Sequence, residues 1–157
     1  MVSWTGLQAH GVQTTAETPG PENFELVAGV PHTDLLGLRQ GWGVTFRGRA
    51  GRSCWFHTPI PTLALADHGA ARLGEFYVSF EAPGTARVNR VDLWNGTQRI
   101  KVYDGLNLAG RHDHNPEQFV PELPLTSTGL NVSTRVTFGA SASQIVFLGA
   151  YARFVTG

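Results

Sequence analysis

A single cysteine, Cys54, is all the chain has. One thiol makes no intrachain disulfide and completes no multi-cysteine zinc site, so a disulfide scaffold and a zinc finger are both excluded. An excess of charge of one sign is also missing. Twelve basic residues balance twelve acidic ones for a formal net charge of zero, and the basic footprint of a nucleic-acid binder is absent. No stretch approaches the roughly 18 consecutive apolar residues of a membrane span. The opening "MVSWTGLQAH" has no basic segment leading into an apolar one, so a secretory signal is not expected either. The expectation is a cytoplasmic, soluble protein without nucleic-acid or membrane partners. Asn95-Gly96-Thr97 and Asn131-Val132-Ser133 match the glycosylation pattern, which carries weight only in a secreted chain. Sustained helical periodicity is missing too, beyond a turn at "HTDLLGLRQ".

What is present is a strand-rich pattern. The 157 residues suit one domain, 1–157, and 19 glycines with 41% hydrophobic and 15% charged residues describe a globular chain with many turns. In "TGLNVSTRVTF", residues 128–138, Leu130, Val132, Val136 and Phe138 alternate with Asn131, Ser133, Arg135 and Thr137, the pattern of a half-buried strand. "SQIVFLGAYARFV" is apolar on both faces, with Ile145, Phe147 and Tyr151 on one and Val146, Leu148 and Phe154 on the other, as in a strand inside a sheet. "GEFYVSFEAPG" buries Phe76, Val78 and Phe80 and stops at Pro83-Gly84. Short strands separated by turn signals, with no alternating helices, predict an all-β fold: a single antiparallel β-sandwich of jelly-roll type.

"VDLWNGTQRI" predicts a hairpin centred on Asn95-Gly96. That register pairs Trp94 with Thr97, Leu93 with Gln98, Asp92 with Arg99 and Val91 with Ile100. Val91, Leu93, Ile100 and Val102 then face the core. Asp92, Trp94, Arg99, Lys101 and Tyr103 face outward, as ordinary solvated surface or as a binding face. The stretch 14–40 is rich in proline, glycine and acidic residues and shows no strand pattern except near "FELVAGV", so a long irregular loop, and a lid, is expected there.

Two stretches carry the site chemistry. In "RSCWFHTPIPT", residues 52–62, a strand puts Trp55 and His57 on one face and Cys54 and Phe56 on the other. Pro59 and Pro61 donate no ladder bonds, so this strand leaves its sheet or runs along an edge after His57. His57 beside an indole is either the rim of a pocket or a core histidine packed by Trp55. "FRGRAGRS" gathers Arg47, Arg49 and Arg52, either a solvated loop or a clamp for a carboxylate or phosphate. In "GRHDHNPEQF", His112 and His114 at i and i+2 with Glu117 nearby could hold a metal; otherwise they are unrelated residues of a polar loop. The order of these residues resembles that of cupins, but the glutamate comes early and no later histidine follows. No Gly-x-Ser-x-Gly elbow, phosphate-cradling glycine loop or paired-carboxylate signature occurs, while a Ser–His–Asp set assembled from distant positions stays open.

"GWGVTFRGRAG", "CWFHTPIPT" and "YDGLNLAGRH" resemble landmarks of a bacterial family of small β-sandwich proteins known as a domain of unknown function. The resemblance runs from about Trp42 to His112 and implies a compact β-sandwich, with no activity, cofactor or site residue attached. The long N-terminal loop departs from it. Eleven of the twelve basic residues are arginine, in keeping with a GC-rich bacterial genome.

The sequence thus predicts a module that binds a small molecule or carbohydrate at one end of the sandwich, through Trp42, Arg47, Trp55 and His57, with the 14–40 loop as lid. The alternatives are a small metabolite-processing enzyme, either an isomerase or cyclase using His57 or a cupin-like metal site, and a structural self-assembling sandwich. No cofactor is expected apart from that metal. Open sheet edges and the doubly apolar strand near the end of the sequence predict a homo-oligomer.

Overall fold

Alternating burial along nearly every strand sorts the chain into two antiparallel sheets that face each other across one core. The computed structural model describes residues 3–27, 37–62, 71–113, 117–118 and 129–156. Its strands are β1 (Ser3–His10), β2 (Thr15–Ala16), β3 (Phe24–Glu25), β4 (Leu38–Gln40), β5 (Gly43–Gly48), β6 (Ser53–Ile60), β7 (Arg72–Ala82), β8 (Ala86–Asn95), β9 (Gln98–Tyr103), β10 (Gly110–His112), β11 (Glu117–Gln118), β12 (Leu130–Phe138) and β13 (Ser143–Thr156). The eight-stranded sheet runs β10–β7–β13–β5–β3, with β1 also on β13, β11 also on β7 and β4 also on β5. The five-stranded sheet runs β2–β6–β12–β8–β9. The all-β, antiparallel β-sandwich expected from the sequence is the observed architecture. Among the described residues, no helix is long and apolar enough to cross a membrane.

A knot of phenylalanines joins the sheets. Phe46 on β5 and Phe56 on β6 are 4.8 Å apart between ring centroids, Phe56 and Phe147 on β13 are 5.0 Å apart, and Phe24 and Phe138 meet the group at tilted or edge-on angles. Each such contact contributes about 0.5–1.5 kcal/mol beyond the burial of its area. Gly48 makes room for the knot, because a Cβ there would sit 2.1 Å from the Phe138 ring. The 14–40 stretch, expected as a long irregular loop and a lid, contributes to this core: β3 delivers Phe24, 1% exposed, and short pairings tie β2 to β6 and β3 and β4 to β5. Residues 28–36 of that stretch lie outside the described residues.

Two bulges change the faces expected from simple alternation. In β13 the register shifts between Phe147 and Gly149, so Phe154 joins Ile145 and Phe147 in the core, while Tyr151 turns outward and stacks on Tyr77 at 5.0 Å. The β8–β9 hairpin exists, but Asn95 pairs with Gln98 and Trp94 with Arg99, which places Gly96, at φ +57°, first in a Gly96-Thr97 turn. A further shift between Leu93 and Trp94 sets Asp92 opposite Val102 and Val91 opposite Tyr103. Val102, expected in the core, is therefore 39% exposed, and Tyr103, expected outside, packs on the core.

The prolines act as expected. β6 continues to Ile60 along β12, but its pairing with β2 reaches only from Phe56 to His57, leaving Pro59 on a stretch with β12 on one side.

Candidate functional site

The outward face of the five-stranded sheet is built from residues two apart on three neighbouring strands. Trp55 and His57 come from β6, Asn131 and Ser133 from β12, and Arg90, Asp92 and Trp94 from β8. Pairing lines them up in rows: Thr15, His57, Ser133 and Asp92 across four strands; Pro59, Asn131, Trp94 and Arg99 across four; Trp55, Arg135 and Arg90 across three. The seven residues first named from β6, β12 and β8, with Glu17, Gly96 and Arg99, line a cleft of about 450 Å³.

Asp92 is the polar centre, 2% exposed although it points away from the core. The Arg90 guanidinium grips it as a fork, Nε donating to Oδ1 at 2.8 Å and Nη2 to Oδ2 at 3.0 Å, and Arg99 Nη1 donates to Oδ2 at 3.4 Å. Arg90 Nη1 also donates to Asp104 Oδ2 at 3.2 Å. The hydrogen bond to Asp92 raises the Arg90 pKa further above its ordinary value, so this cation is permanent. Each arginine also lies by an indole: Arg90 Cζ is 5.6 Å from the Trp55 ring centroid, and Arg99 Cζ is 5.7 Å from that of Trp94.

His57 is oriented by a second polar group. Asn131 Nδ2 donates to Ser133 Oγ at 3.0 Å, and Ser133 Oγ is 2.9 Å from His57 Nδ1. Asn131 Nδ2 also lies 3.4 Å from His57 Nδ1, so this polar group engages the ring through Nδ1. Ser133, His57 and Asp92 are neighbours in register, but the carboxylate is engaged by the two arginines and does not polarise the imidazole, so this is not the relay of a serine hydrolase.

The structure brings together two of the four residues read as ligand-binding. Trp55 and His57 share the cleft. Trp42 stands at the β4–β5 turn of the other sheet, 51% exposed. Arg47 Nε donates to Glu25 Oε2 at 3.1 Å, and Arg49 Nη1 reaches the same carboxylate at 3.5 Å, so these arginines brace β5 against β3. Trp55 and His57 thus lie on the outer face of the five-stranded sheet, and Trp42 and Arg47 belong to the other sheet. Of the three residues read as metal ligands, His114 lies outside the described residues and Glu117 is described in its backbone alone. His112 stacks on Phe80 at 4.9 Å with Nε2 3.1 Å from the Ala109 carbonyl oxygen. His112 pairs with Phe80 and Glu117 with Phe76, four positions and about 13 Å apart along β7. No group of three potential metal ligands occurs among the described residues.

Sequence reasoning read the face of Asp92, Trp94 and Arg99 as solvated surface or a binding face and did not single out Arg90, Asn131 or Ser133. The signal was the alternation that set Asp92, Trp94 and Arg99 on the outer face of the hairpin; what it lacked was the adjacency of β8 to β12 and β6.

Among solved structures, a family 35 carbohydrate binding module from an environmental isolate is similar over 92% of this chain and 90% of that chain, at 12% identity and a TM-score of 0.37. No curated protein matches the sequence. The family of unknown function DUF6623 matches residues 28–151, a span that includes every strand of the five-stranded sheet except β2, and the chain belongs to that family.

Proposed function

We propose that the protein is a β-sandwich binding module whose ligand, a saccharide or a small polar ring compound of similar chemistry, lies in the cleft on the five-stranded sheet. One observation carries this reading: a buried carboxylate held by two arginines, with an indole on either side of it along the same sheet face. A sugar ring has apolar C–H faces and a polar rim of hydroxyls. Trp55 and Trp94 offer flat apolar surface for the faces, while Arg99, Asn131 and His57 offer polar groups for the rim. The ion pairs hold these polar groups in place before a ligand arrives, which lowers the cost of ordering them on binding.

Titration calorimetry against neutral and acidic oligosaccharides tests the proposal. Trp94→Ala and Trp55→Ala should each weaken binding at least about tenfold, the loss of roughly 1.4 kcal/mol. A ligand bound equally well by both variants would refute it.

A second reading is favoured by His57, whose ring lines the cleft and is held at Nδ1 by Ser133. An imidazole serves as general acid or base, so the same cleft suits an isomerase or cyclase in which His57 moves a proton. Turnover separates the readings: an enzyme converts a substrate and loses that turnover in His57→Gln, whereas a binding module converts none with either residue and His57→Gln only weakens its binding.

A further inference from the structure

The opposite face of the sandwich holds a second cleft, of about 420 Å³, that shares no residue with the first. Its floor is the outer surface of the eight-stranded sheet. On β7, Phe76 and Phe80 point into the core, so Tyr77, Ser79 and Glu81 point outward; on β1, Ala9 is buried and Gln8 points outward. Gln8, Tyr151 and Tyr77 form one row across β1, β13 and β7. The Phe147/Gly149 bulge places Gly149, without a side chain, in the floor beside Ser79. Arg111 pairs across strands with Glu81 and makes an ion pair with Asp113 at the rim.

The wall is Trp42. Gln40 pairs with Gly43, so Gly41 and Trp42 are the two central residues of a hairpin turn. An indole there gives the turn nothing and leaves half its surface in water. The hairpin is also held close to the sheet: a Cβ on Gly43 would lie 2.3 Å from the Phe147 carbonyl oxygen, so only glycine lets the turn approach β13 this closely. That approach carries Trp42 to the edge of the cleft, above Leu148 and Gly149.

We infer that this Trp42 cleft is a second saccharide-class binding site, and that the chain is bivalent. The inference rests on the saccharide reading of the first cleft, because both present the same elements: an indole with exposed surface, a carboxylate–guanidinium pair and amide or hydroxyl groups on a strand floor. The two clefts open from opposite faces of a sandwich whose sheets pack about 10 Å apart, so one ring cannot occupy both, and each chain would link two ligand molecules.

Binding stoichiometry tests it, with a β-glucan hexasaccharide, a xylan hexasaccharide and a hexagalacturonide as probes. The tightest-binding probe is titrated into wild type, Trp42→Ala and Trp94→Ala. Trp42 is exposed at a turn, so its variant should keep the wild-type melting temperature, which is measured alongside. The expected result is two equivalents bound by wild type and one by each variant. Wild type should also precipitate the matching long polysaccharide, and neither variant should. One equivalent in wild type, unchanged in Trp42→Ala, overturns the second site and leaves the first. One equivalent lost in Trp42→Ala and kept in Trp94→Ala overturns the first reading and leaves the Trp42 site as the binding site, without bivalency. Binding of none of the three probes overturns both.

Discussion

Arg90 and Asp92 stand two residues apart on β8 and meet through two parallel hydrogen bonds, 2.8 and 3.0 Å long, on the outer side of a sheet. The carboxylate is buried while the guanidinium is partly open, so the two ends of the pair contribute unequally. Removing the carboxylate strands two cations against each other. Asp92→Ala should cost about 2 kcal/mol, below the 3–5 kcal/mol typical when a fully buried pair is broken, because Arg90 and Arg99 both reach solvent. Urea denaturation measures the loss, and Arg90→Lys, which keeps the charge but not the fork, should lose less.

Phe56 has no exposed surface and touches Phe24, Phe46 and Phe147. Phe56→Ala should cost about 3–5 kcal/mol, a large share of the stability of a domain this size. Chemical denaturation should give an early midpoint with an unchanged slope.

Gly48→Ala places a methyl group against the Phe138 ring, and the knot of phenylalanines must shift to admit it. Overpacking of this kind costs about 1–3 kcal/mol, and at roughly 2–4 °C per kcal/mol the melting temperature should fall by several degrees. A melting temperature equal to wild type would mean that the ring moves freely.

The Tyr77 phenol has its pKa raised above 10, first by burial and then by Tyr151, Glu75 and Asp113. A raised pKa means the folded state holds this proton more tightly than the unfolded chain. The stability it lends is therefore complete below pH 10 and is lost as pH rises through the folded pKa. Stability measured above pH 10 should fall with pH in wild type and fall less steeply in Tyr77→Phe.

Much of the fold is legible in the sequence because strand alternation is local. Leu130, Val132, Val136 and Phe138 are all buried, as their spacing requires. The errors come from inserted residues. One shift near Trp94 exchanged the faces of Val102 and Tyr103, and one after Phe147 exchanged those of Tyr151 and Phe154, because a single extra residue inverts every side chain beyond it. The site was half legible for a related reason. Trp55 and His57 are two apart in one strand, so their shared face follows from sequence. Asp92 and Ser133 lie about 40 residues apart, and only the pairing of β8 with β12 makes them neighbours.

The register that joins Ser3 to Thr156 bears on how the protein is made. Among the described strands β1 pairs with β13 alone, and roughly 130 residues separate the end of one from the start of the other. On a ribosome adding about 5–20 residues per second, β1 emerges and then waits roughly 7–26 seconds for its partner to be synthesised. Its backbone hydrogen-bonding groups and the Trp4 side chain stay open to other nascent chains in that interval, so slowing translation between the codons of β1 and those of β13 should raise aggregation.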